Sequence, residues 1–226
     1  MDFVEANLVD IDARTIRPVR LSFESGSIRK IESLGNESRD GDPCFDTFLL
    51  PGFVDAHVHV ESSMLTPAQF ARTAVTHGTV ASVSDPHEIA NVLGLAGVEF
   101  MLRDAERVPF KFCFGAPSCV PATPFETAGS SLDAAQTERL LDDPRIHYLA
   151  EMMNFPGVLS GEAEVIAKIH AAAKRGMPID GHAPGLRGEA AMQYFAAGIT
   201  TDHECCAAAE AVDKLELGVW VQIREG

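Results

Sequence analysis

The alternation of hydrophobic and polar positions changes its character near residue 49. Before that point, three short segments of partly alternating β type, ANLVDID, VRLSFES and SIRKIES, are separated by turn formers such as Gly26 and the pair Gly35–Asn36. A polar stretch, GNESRDGDP, predicts a loop over residues 35–43. Residues 1–48 are therefore predicted to form a small β subdomain, an incomplete β-sandwich.

From residue 49 onward, apolar runs alternate with patterns of helical period. The first helical pattern, TPAQFARTAVTHG, has Thr66 as a candidate N-cap, Pro67 at the first helical position and Gly78 just after its end. Seven apolar runs end near residues 59, 87, 119, 154, 182, 203 and 225, at an average spacing of about 28 residues. That spacing is the size of one βα unit, so the pattern predicts seven strands that alternate with helices.

Seven nearly continuous apolar strands indicate a parallel sheet that helices cover on both faces. Such an α/β fold is either a doubly wound sheet or a (β/α)8 barrel of the TIM type. A polar residue ends every predicted strand, which favours the barrel, because a barrel enzyme gathers its working groups at the C-terminal ends of its strands. We therefore predict a TIM-like β/α barrel over residues 49–226 that is truncated after the seventh strand and lacks the eighth.

Composition and charge exclude several classes of protein. Of the 226 residues, 46% are hydrophobic and 23% charged, enough to bury a substantial core. The net charge of −15 argues against a nucleic-acid partner, because no basic surface exists to neutralise phosphates. No apolar run approaches the roughly 20 residues of a membrane span, and the N-terminus lacks a signal-peptide pattern. The five cysteines show no disulfide-framework spacing, so we expect a cytoplasmic protein with no membrane partner.

Histidines gather at the predicted strand ends, where five of the eight lie: His57, His59, His87, His182 and His203. In a strand, residues i and i+2 point to the same side, so His57 and His59 project together as a metal-binding pair would. An H-x-H pair alone fits two hydrogen-bonded core histidines equally well, but His182 and His203 on later strands favour a metal site. Four imidazoles suit Zn, Mn, Fe or Co rather than Ca or Mg.

Glu151, in the segment AEMMNF at the end of the intervening strand, is the best placed carboxylate to join these histidines. Four histidines on one ion would overfill an open catalytic site, whereas a carboxylate shared between two ions divides them. Two divalent ions about 3.5–4 Å apart activate water for hydrolysis. The residues therefore predict a binuclear metal site, with Glu151, His182 and His203 acting in catalysis through the activated water.

Longer motifs carry a resemblance to a known family. The stretch PGFVDAHVHVESSMLTPAQFA, together with DPHEIANVLG, PSCVPATPFETAG, EMMNFPGV, DGHAPGL, DHECC and IREG, resembles the bacterial adenine deaminases of the amidohydrolase superfamily across residues 49–226. The resemblance implies a barrel of the metal-dependent hydrolase type and hydrolytic deamination of adenine to hypoxanthine and ammonia in purine metabolism. It also implies that His57 and His59 hold one ion, that His182 and His203 hold the other, and that Glu151 bridges them. Mn²⁺ or Fe²⁺ is the implied metal, and Zn²⁺ also suits these donors.

The same resemblance implies that part of the enzyme is missing from this sequence. In the superfamily, an Asp at the end of the eighth strand moves protons between the water and the substrate, and no eighth strand is predicted here. Loss of a general acid–base group typically costs about 10²–10⁴ in rate. We therefore expect the chain to be the N-terminal portion of a longer, homo-oligomeric enzyme that acts on a small purine, with little activity alone.

Five residues at strand ends are predicted to contact the substrate: His87, Glu88, Asn154, Arg224 and Glu225. Their alternatives are structural: Glu88 favours the dipole at a helix N-terminus, Asn154 fits a turn, and the last two fit an ion pair. Asp202 and Glu204 flank His203 and, by strand alternation, are expected to point away from it.

Two other functions stay open on the residues alone. One is a different C–N hydrolase of the same superfamily, acting on a cyclic amide or an N-acyl substrate. A lysine on the fourth strand often marks the cyclic-amide hydrolases, and Glu151 at that place argues against them. The other is a non-catalytic remnant that binds metal or a partner.

Overall fold

The structure is a computed structural model that describes residues 1–35, 44–123 and 125–224. The predicted loop over residues 35–43 therefore lies outside the described residues, apart from Gly35, and Glu225 lies outside them as well. The chain divides into two compact units, Met1–Gly52 and Phe53–Gly226.

The N-terminal unit contains a four-stranded sheet with the strand order β3-β2-β1-β4. Its strands are β1 (Asp2–Asp10), β2 (Thr15–Glu24), β3 (Ser27–Ser33) and β4 (Phe48–Leu49). The first three strands pair in antiparallel fashion through short turns, whereas β4 pairs in parallel with β1. Gly26 takes a φ of +74° in the turn between β2 and β3, a conformation that glycine adopts without strain. The three β segments predicted from the sequence are thus confirmed as strands.

The second unit contains seven strands within its described residues, as the sequence pattern predicts. Five of them form one parallel sheet in chain order: β5 (Phe53–Val58), β6 (Thr79–Ser84), β7 (Lys111–Ala116), β8 (Ile146–Met152) and β9 (Ile179–Gly181). The last two, β10 (Thr201–Asp202) and β11 (Trp220–Val221), pair in parallel with each other. A backbone hydrogen bond of 3.1 Å from Thr200 N to the Ile179 carbonyl connects β10 to β9.

The two ends of this strand series approach each other. The side-chain amide of Gln222, which follows β11, donates to the carbonyl of Ala56 in β5 at 3.1 Å. Because β5 is the first strand of the series and β11 the last described one, this bond requires the strands to curl into a barrel-like arrangement. The predicted α/β barrel architecture is therefore confirmed over these strands.

Helices connect successive strands of the second unit, as expected for parallel neighbours. In chain order they are α1 (Pro67–Ala74), α2 (His87–Leu93), α3 (Leu95–Ala105), α4 (Ala134–Leu141), α5 (Phe155–Ser160), α6 (Ala163–Lys174), α7 (Gly188–Ala196) and α8 (Ala208–Glu216). Among the residues that the structure describes, no helix combines the length and the apolar character needed to cross a membrane.

The start and end of α1 follow the sequence prediction. Thr66 is the N-cap residue, Pro67 begins the helix, and a 3-10 turn extends it to Gly78, which takes a φ of +83°. The Thr66 side chain makes no capping hydrogen bond to the helix. Asp104 of α3 caps α1 instead, because its Oδ2 accepts the N–H of Ala68 at 2.8 Å. A tertiary contact thus satisfies a free N–H group of the first turn.

Strand β8 lies in the middle of the hydrophobic core. Six of its seven residues are buried, and Leu149 and Met152 are fully inaccessible to solvent. Burying an apolar side chain of this size stabilises the folded state by about 1.5–3 kcal/mol. The same strand carries Glu151, which is only 2% exposed. A carboxylate is therefore held inside the protein at the C-terminal end of the central strand.

Candidate metal centre

The C-terminal ends of the strands bring the predicted metal ligands together. His57 lies in β5 and His59 directly after it, Glu151 lies in β8, and His182 and His203 come immediately after β9 and β10. Because these strands run in parallel, their C-terminal ends meet on one side of the barrel. All five residues belong to a single cluster, in which each histidine lies near Glu151.

Glu151 lies at the centre of this cluster. One carboxylate oxygen, Oε1, is 3.0 Å from His59 Nε2 and 3.4 Å from His87 Nδ1. The other, Oε2, is 2.6 Å from His182 Nδ1 and 3.0 Å from His203 Nε2. Each oxygen therefore faces a different pair of imidazoles, which is the arrangement that a carboxylate shared between two cations requires.

His57 completes the first side of the cluster. Its Nε2 lies 3.1 Å from His59 Nε2 and 3.9 Å from Glu151 Oε1, and its ring stacks on that of His203 with centroids 3.7 Å apart. Two nitrogens bound to one transition ion, each at about 2.0–2.1 Å, lie at a similar separation from each other. The observed distance thus fits a common cation for His57 and His59.

The donor atoms form three overlapping groups that could each hold a metal ion. The first contains His57, Glu151 and His203, and the second contains His59, Asp85, His87 and Glu151; the third consists of His182, His203 and Glu204. Nitrogen and carboxylate donors in this proportion suit a divalent transition ion. In addition, His203 Nε2 is buried without a hydrogen bond of good geometry, so the residues present fit a bound divalent metal.

Neighbouring groups orient the histidine rings. His59 Nδ1 lies 3.0 Å from the carbonyl oxygen of Asp85, and His87 Nδ1 lies 3.0 Å from the Asp85 carboxylate. His57 Nδ1 lies 3.2 Å from Asp180 Oδ2, although the ring N–H is not aligned for a hydrogen bond. Contacts of this kind fix which ring nitrogen faces a metal, and for His57 and His59 that nitrogen is Nε2.

Charges inside the cluster stabilise one another. Burial alone would raise the pKa of Glu151, but the hydrogen bonds from its imidazole neighbours outweigh burial and lower that pKa. Burial would likewise lower the pKa of His59, yet its bond to Glu151 and the charge of Asp85 raise the pKa to about 9. In the metal-free arrangement His59 is therefore protonated at neutral pH, and a cation that binds there releases a proton.

The predicted substrate contacts divide into several environments. Glu88 accepts a hydrogen bond of 2.7 Å from the Ser62 hydroxyl. Asn154 caps α5: its Oδ1 accepts the N–H of Gly157 at 2.9 Å, as the turn alternative expected. Arg224 forms an ion pair of 3.2 Å with Glu204. The substrate roles of these residues, of His87 beside Glu151 and of Glu225 stay predictions.

The expectation for Glu204 is wrong, whereas that for Asp202 is confirmed. Asp202 points away from the cluster toward Lys214, but Glu204 Oε1 lies 3.6 Å from His203 Nε2 and 4.0 Å from His182 Nδ1. The physical reason is that β10 ends at Asp202, so the alternation of a strand does not extend to the residues that follow it.

Sequence reasoning missed Tyr194, which bonds the backbone of His182, and Asp180, which lies beside the His57 ring. The Tyr194 hydroxyl accepts the N–H of His182 at 3.0 Å and donates to the Met152 carbonyl at 2.8 Å, and nothing in the sequence pattern indicates this pairing. Asp180 could have been found from the sequence, because it precedes His182 by two residues. Residues i and i+2 of a strand point to the same side, which is the argument that also pairs His57 with His59.

Comparison with known proteins agrees with this architecture. A model of the Amidohydrolase family matches residues 48–225. Adenine deaminase from Salinibacter ruber is 55% identical over 223 residues, which are 99% of this chain and 40% of that protein. Adenine deaminase from Methanosarcina barkeri is 52% identical over 226 residues, all of this chain and again 40% of the relative. The chain thus spans about 40% of the length of these curated relatives.

Solved structures with low sequence identity share the fold. Atrazine chlorohydrolase from Arthrobacter aurescens TC1, complexed with zinc, matches with a TM-score of 0.56 and 9% identity over 96% of this chain and 70% of that one. N-acetyl-D-glucosamine-6-phosphate deacetylase from Mycobacterium smegmatis matches with a TM-score of 0.54 and 15% identity over 90% of this chain and 55% of that one. At these identities the likeness concerns the fold alone. The family model, which covers most of the barrel, carries the assignment: the chain belongs to the amidohydrolase family.

Proposed function

We propose that this chain is the metal-binding portion of an enzyme that hydrolyses adenine to hypoxanthine and ammonia. The observation that carries the proposal is the position of Glu151. Its Oε1 lies 3.0 Å from His59 and 3.9 Å from His57, and its Oε2 lies 2.6 Å from His182 and 3.0 Å from His203. Relatives described as adenine deaminases, 47–55% identical over nearly the whole chain, support adenine as the substrate.

The proposed metal site has two halves. His57 and His59 would hold one divalent ion, His182 and His203 would hold the other, and Glu151 would be shared between them. Mn²⁺ or Fe²⁺ is the proposed metal, and Zn²⁺ also suits nitrogen and carboxylate donors. When bound, such ions supply a water molecule that is activated for attack at neutral pH.

The protein itself positions the purine and handles its protons. Attack at C6 requires a proton to reach the ring and the departing amino group, so charged groups near the cluster are needed. His87, Glu88, Asn154, Arg224 and Glu225 are the proposed substrate contacts. Glu204 adds a carboxylate that faces both His182 and His203 and forms an ion pair of 3.2 Å with Arg224.

The proposed setting is the cytoplasm, with a small purine as the partner and a homo-oligomer as the state of the full-length enzyme. The acidic net charge of −15 supports the absence of a nucleic-acid partner.

A metal titration combined with product analysis tests the function. The purified chain is freed of metal, reconstituted with Mn²⁺, and incubated with adenine, with a cyclic amide and with an N-acyl amino acid; bound metal is measured by mass spectrometry and products by chromatography. We expect two ions per chain and slow, metal-dependent formation of hypoxanthine from adenine alone. Glu151→Gln should abolish both, whereas His170→Asn, which changes an exposed histidine of α6, should abolish neither.

Three outcomes would contradict the proposal. A wild-type chain that binds no metal refutes the metal site. Hydrolysis of the cyclic amide or the N-acyl compound in place of adenine indicates a different C–N hydrolase. Two bound ions without any product after prolonged incubation indicate a protein that binds metal without catalysing deamination.

A further inference from the structure

A buried lysine lies beside the candidate metal centre without belonging to it. Lys214 of α8 is fully inaccessible to solvent. Its ammonium donates to the Ala183 carbonyl at 2.7 Å, to Asp202 Oδ2 at 2.9 Å and to Glu210 Oε1 at 2.7 Å. An ammonium group has three N–H donors, so every donor of Lys214 is used. The Lys214 ammonium therefore supplies a positive charge that bonds both carboxylates at once.

The two carboxylates extend these contacts to the backbone around the candidate ligands. Asp202 Oδ1 accepts the N–H of Ala183 at 2.8 Å, directly after His182. Glu210 accepts the N–H of Gly185 at 2.8 Å and that of Cys206 at 3.2 Å. The group formed by Lys214, Asp202 and Glu210, here called the lysine clamp, therefore joins the segment after His182 to the segment around His203.

The strands themselves hold these two histidines weakly. β9 has three residues and β10 has two, so few ladder hydrogen bonds fix the loops that follow them. His182 Nδ1 and His203 Nε2 nevertheless lie within 2.6 Å and 3.0 Å of the same Glu151 oxygen. A metal site needs its donors held to within about 0.5 Å. Contacts beyond the sheet are thus required, and the lysine clamp is a buried network that touches both segments.

We propose that the lysine clamp positions His182 and His203 relative to each other and thereby sets the affinity of the metal ion that these two histidines hold. This inference rests on the proposed metal site and goes further, because it assigns a role to three residues that contact neither metal nor substrate. Removal of the clamp should weaken one of the two ions, since His57 and His59 are held by other strands. Loss of a contact that orients a metal ligand typically weakens metal binding by about 10–100-fold.

The chain offers a closely matched pair of aspartates for the test. Asp202 accepts a backbone N–H at 2.8 Å and pairs with the buried Lys214. Asp104 also accepts a backbone N–H at 2.8 Å and pairs with Arg107 at 2.7 Å. Asp104, however, lies in the contact between α1 and α3. Asp202→Asn and Asp104→Asn therefore make the same chemical change in two places. Lys214→Met serves as a second clamp variant, because it keeps the length of the side chain and removes its charge.

The experiment measures Co²⁺ binding by the purified full chain, with the visible absorption of bound Co²⁺ and competition by a chelator as readouts. For Asp202→Asn and Lys214→Met we expect one Co²⁺ to bind about 10–100-fold more weakly, with a changed absorption spectrum and an unchanged second ion. Asp104→Asn should lower thermal stability and leave both ions and the spectrum as in the wild type.

The outcomes separate the lysine clamp from the proposed function. Wild-type Co²⁺ affinity and spectrum in Asp202→Asn would overturn the clamp while the metal site stands. Equal weakening of both ions in Asp202→Asn and Asp104→Asn would also overturn it, because the effect would then be general destabilisation. A wild-type chain that binds no Co²⁺ overturns the proposed function and the clamp with it. If Lys214→Met does not fold, Asp202→Asn decides the matter.

Discussion

Gly181→Ala adds only one methyl group, yet we expect it to disturb the candidate metal centre strongly. A Cβ atom added there would lie 2.8 Å from Ile199 Cγ2 and closer still to the backbone carbonyl oxygen of Thr201. Ordinary van der Waals contact begins at 3.4 Å, so the Ile199 contact alone must lengthen by about 0.6 Å, from 2.8 to 3.4 Å. The Thr201 oxygen belongs to the backbone of β10 and cannot turn aside as a flexible side chain would. Gly181→Ala therefore has to push β9 and β10 apart.

The magnitude follows from this geometry. Overpacking a tight core typically costs about 1–3 kcal/mol, and the backbone contact places Gly181→Ala near the upper end, about 3 kcal/mol. For a domain of this size, about 1 kcal/mol corresponds to about 2–4 °C in Tm, so we expect Tm to fall by about 6–12 °C. Because His182 and His203 directly follow the separated strands, metal affinity should fall by about 10–100-fold as well.

The assay compares Gly181→Ala with Gly129→Ala, in which the new methyl group also meets backbone, at 2.9 Å from the Val92 carbonyl oxygen. Both variants are unfolded thermally and followed by circular dichroism, and both are titrated with Co²⁺ in competition with a chelator. We expect both to lose stability and only Gly181→Ala to lose metal affinity. A Gly181→Ala chain with the wild-type Tm would refute the steric reasoning, and one that is destabilised but keeps wild-type metal affinity would refute the link between strand spacing and the site.

Three further changes test single contacts. Asp104→Asn should lower the free energy of unfolding by about 1–3 kcal/mol at pH 7. Burial would raise the pKa of Asp104, but its hydrogen bonds outweigh burial and lower that pKa from 3.8. The stabilisation is therefore present above pH 3.8 and is lost as pH falls through the lowered pKa. If urea unfolding shows the same difference in stability between wild type and Asp104→Asn at pH 7 and at pH 3, this reasoning is contradicted. Tyr194→Phe leaves the His182 N–H unpaired and should cost about 1–3 kcal/mol, measured by urea unfolding, where an unchanged midpoint excludes the contact. Asn154→Ala removes the cap of α5 and the bond from Asn154 Nδ2 to Glu162 at 3.1 Å. It should cost about 1 kcal/mol, or about 2–4 °C in Tm, and an unchanged Tm excludes the cap.

Much of the barrel was predictable because its signals are local. The longer strands are apolar runs in the sequence, and several helices are followed by a glycine with a positive φ, as α1 and its 3-10 turn are by Gly78 at +83°. The convergence of His57, His59, Glu151, His182 and His203 was predictable for a related reason. The parallel strands of a barrel have their C-terminal ends on one face, so polar residues at those ends lie close together even when they are far apart in the sequence.

The details that escaped prediction depend on contacts that no periodic pattern encodes. Glu204 faces the cluster because β10 stops two residues earlier, and element boundaries are the least certain part of a pattern. The sequence pattern indicates an ordinary helical lysine at Lys214, yet its ammonium donates to the carbonyl of Ala183, 31 residues away in the sequence. Asp104 caps a helix that starts 37 residues before it. Pairings of this length require the assembled fold.

The arrangement also couples metal binding to the folding of the whole barrel. The five candidate ligands come from the ends of β5, β8, β9 and β10, so the proposed pair of ions can engage all of them only when these strands are in place together. A ligand that binds only the folded state at 100 times its dissociation constant stabilises that state by about 2.7 kcal/mol. That amount is a large fraction of the roughly 5–15 kcal/mol by which domains are stable. In the absence of metal, burial would lower the pKa of His59, but its bond to Glu151 and the charge of Asp85 raise that pKa to about 9. Metal should therefore stabilise the chain more strongly as pH rises through this value, because fewer protons then compete for the same nitrogens.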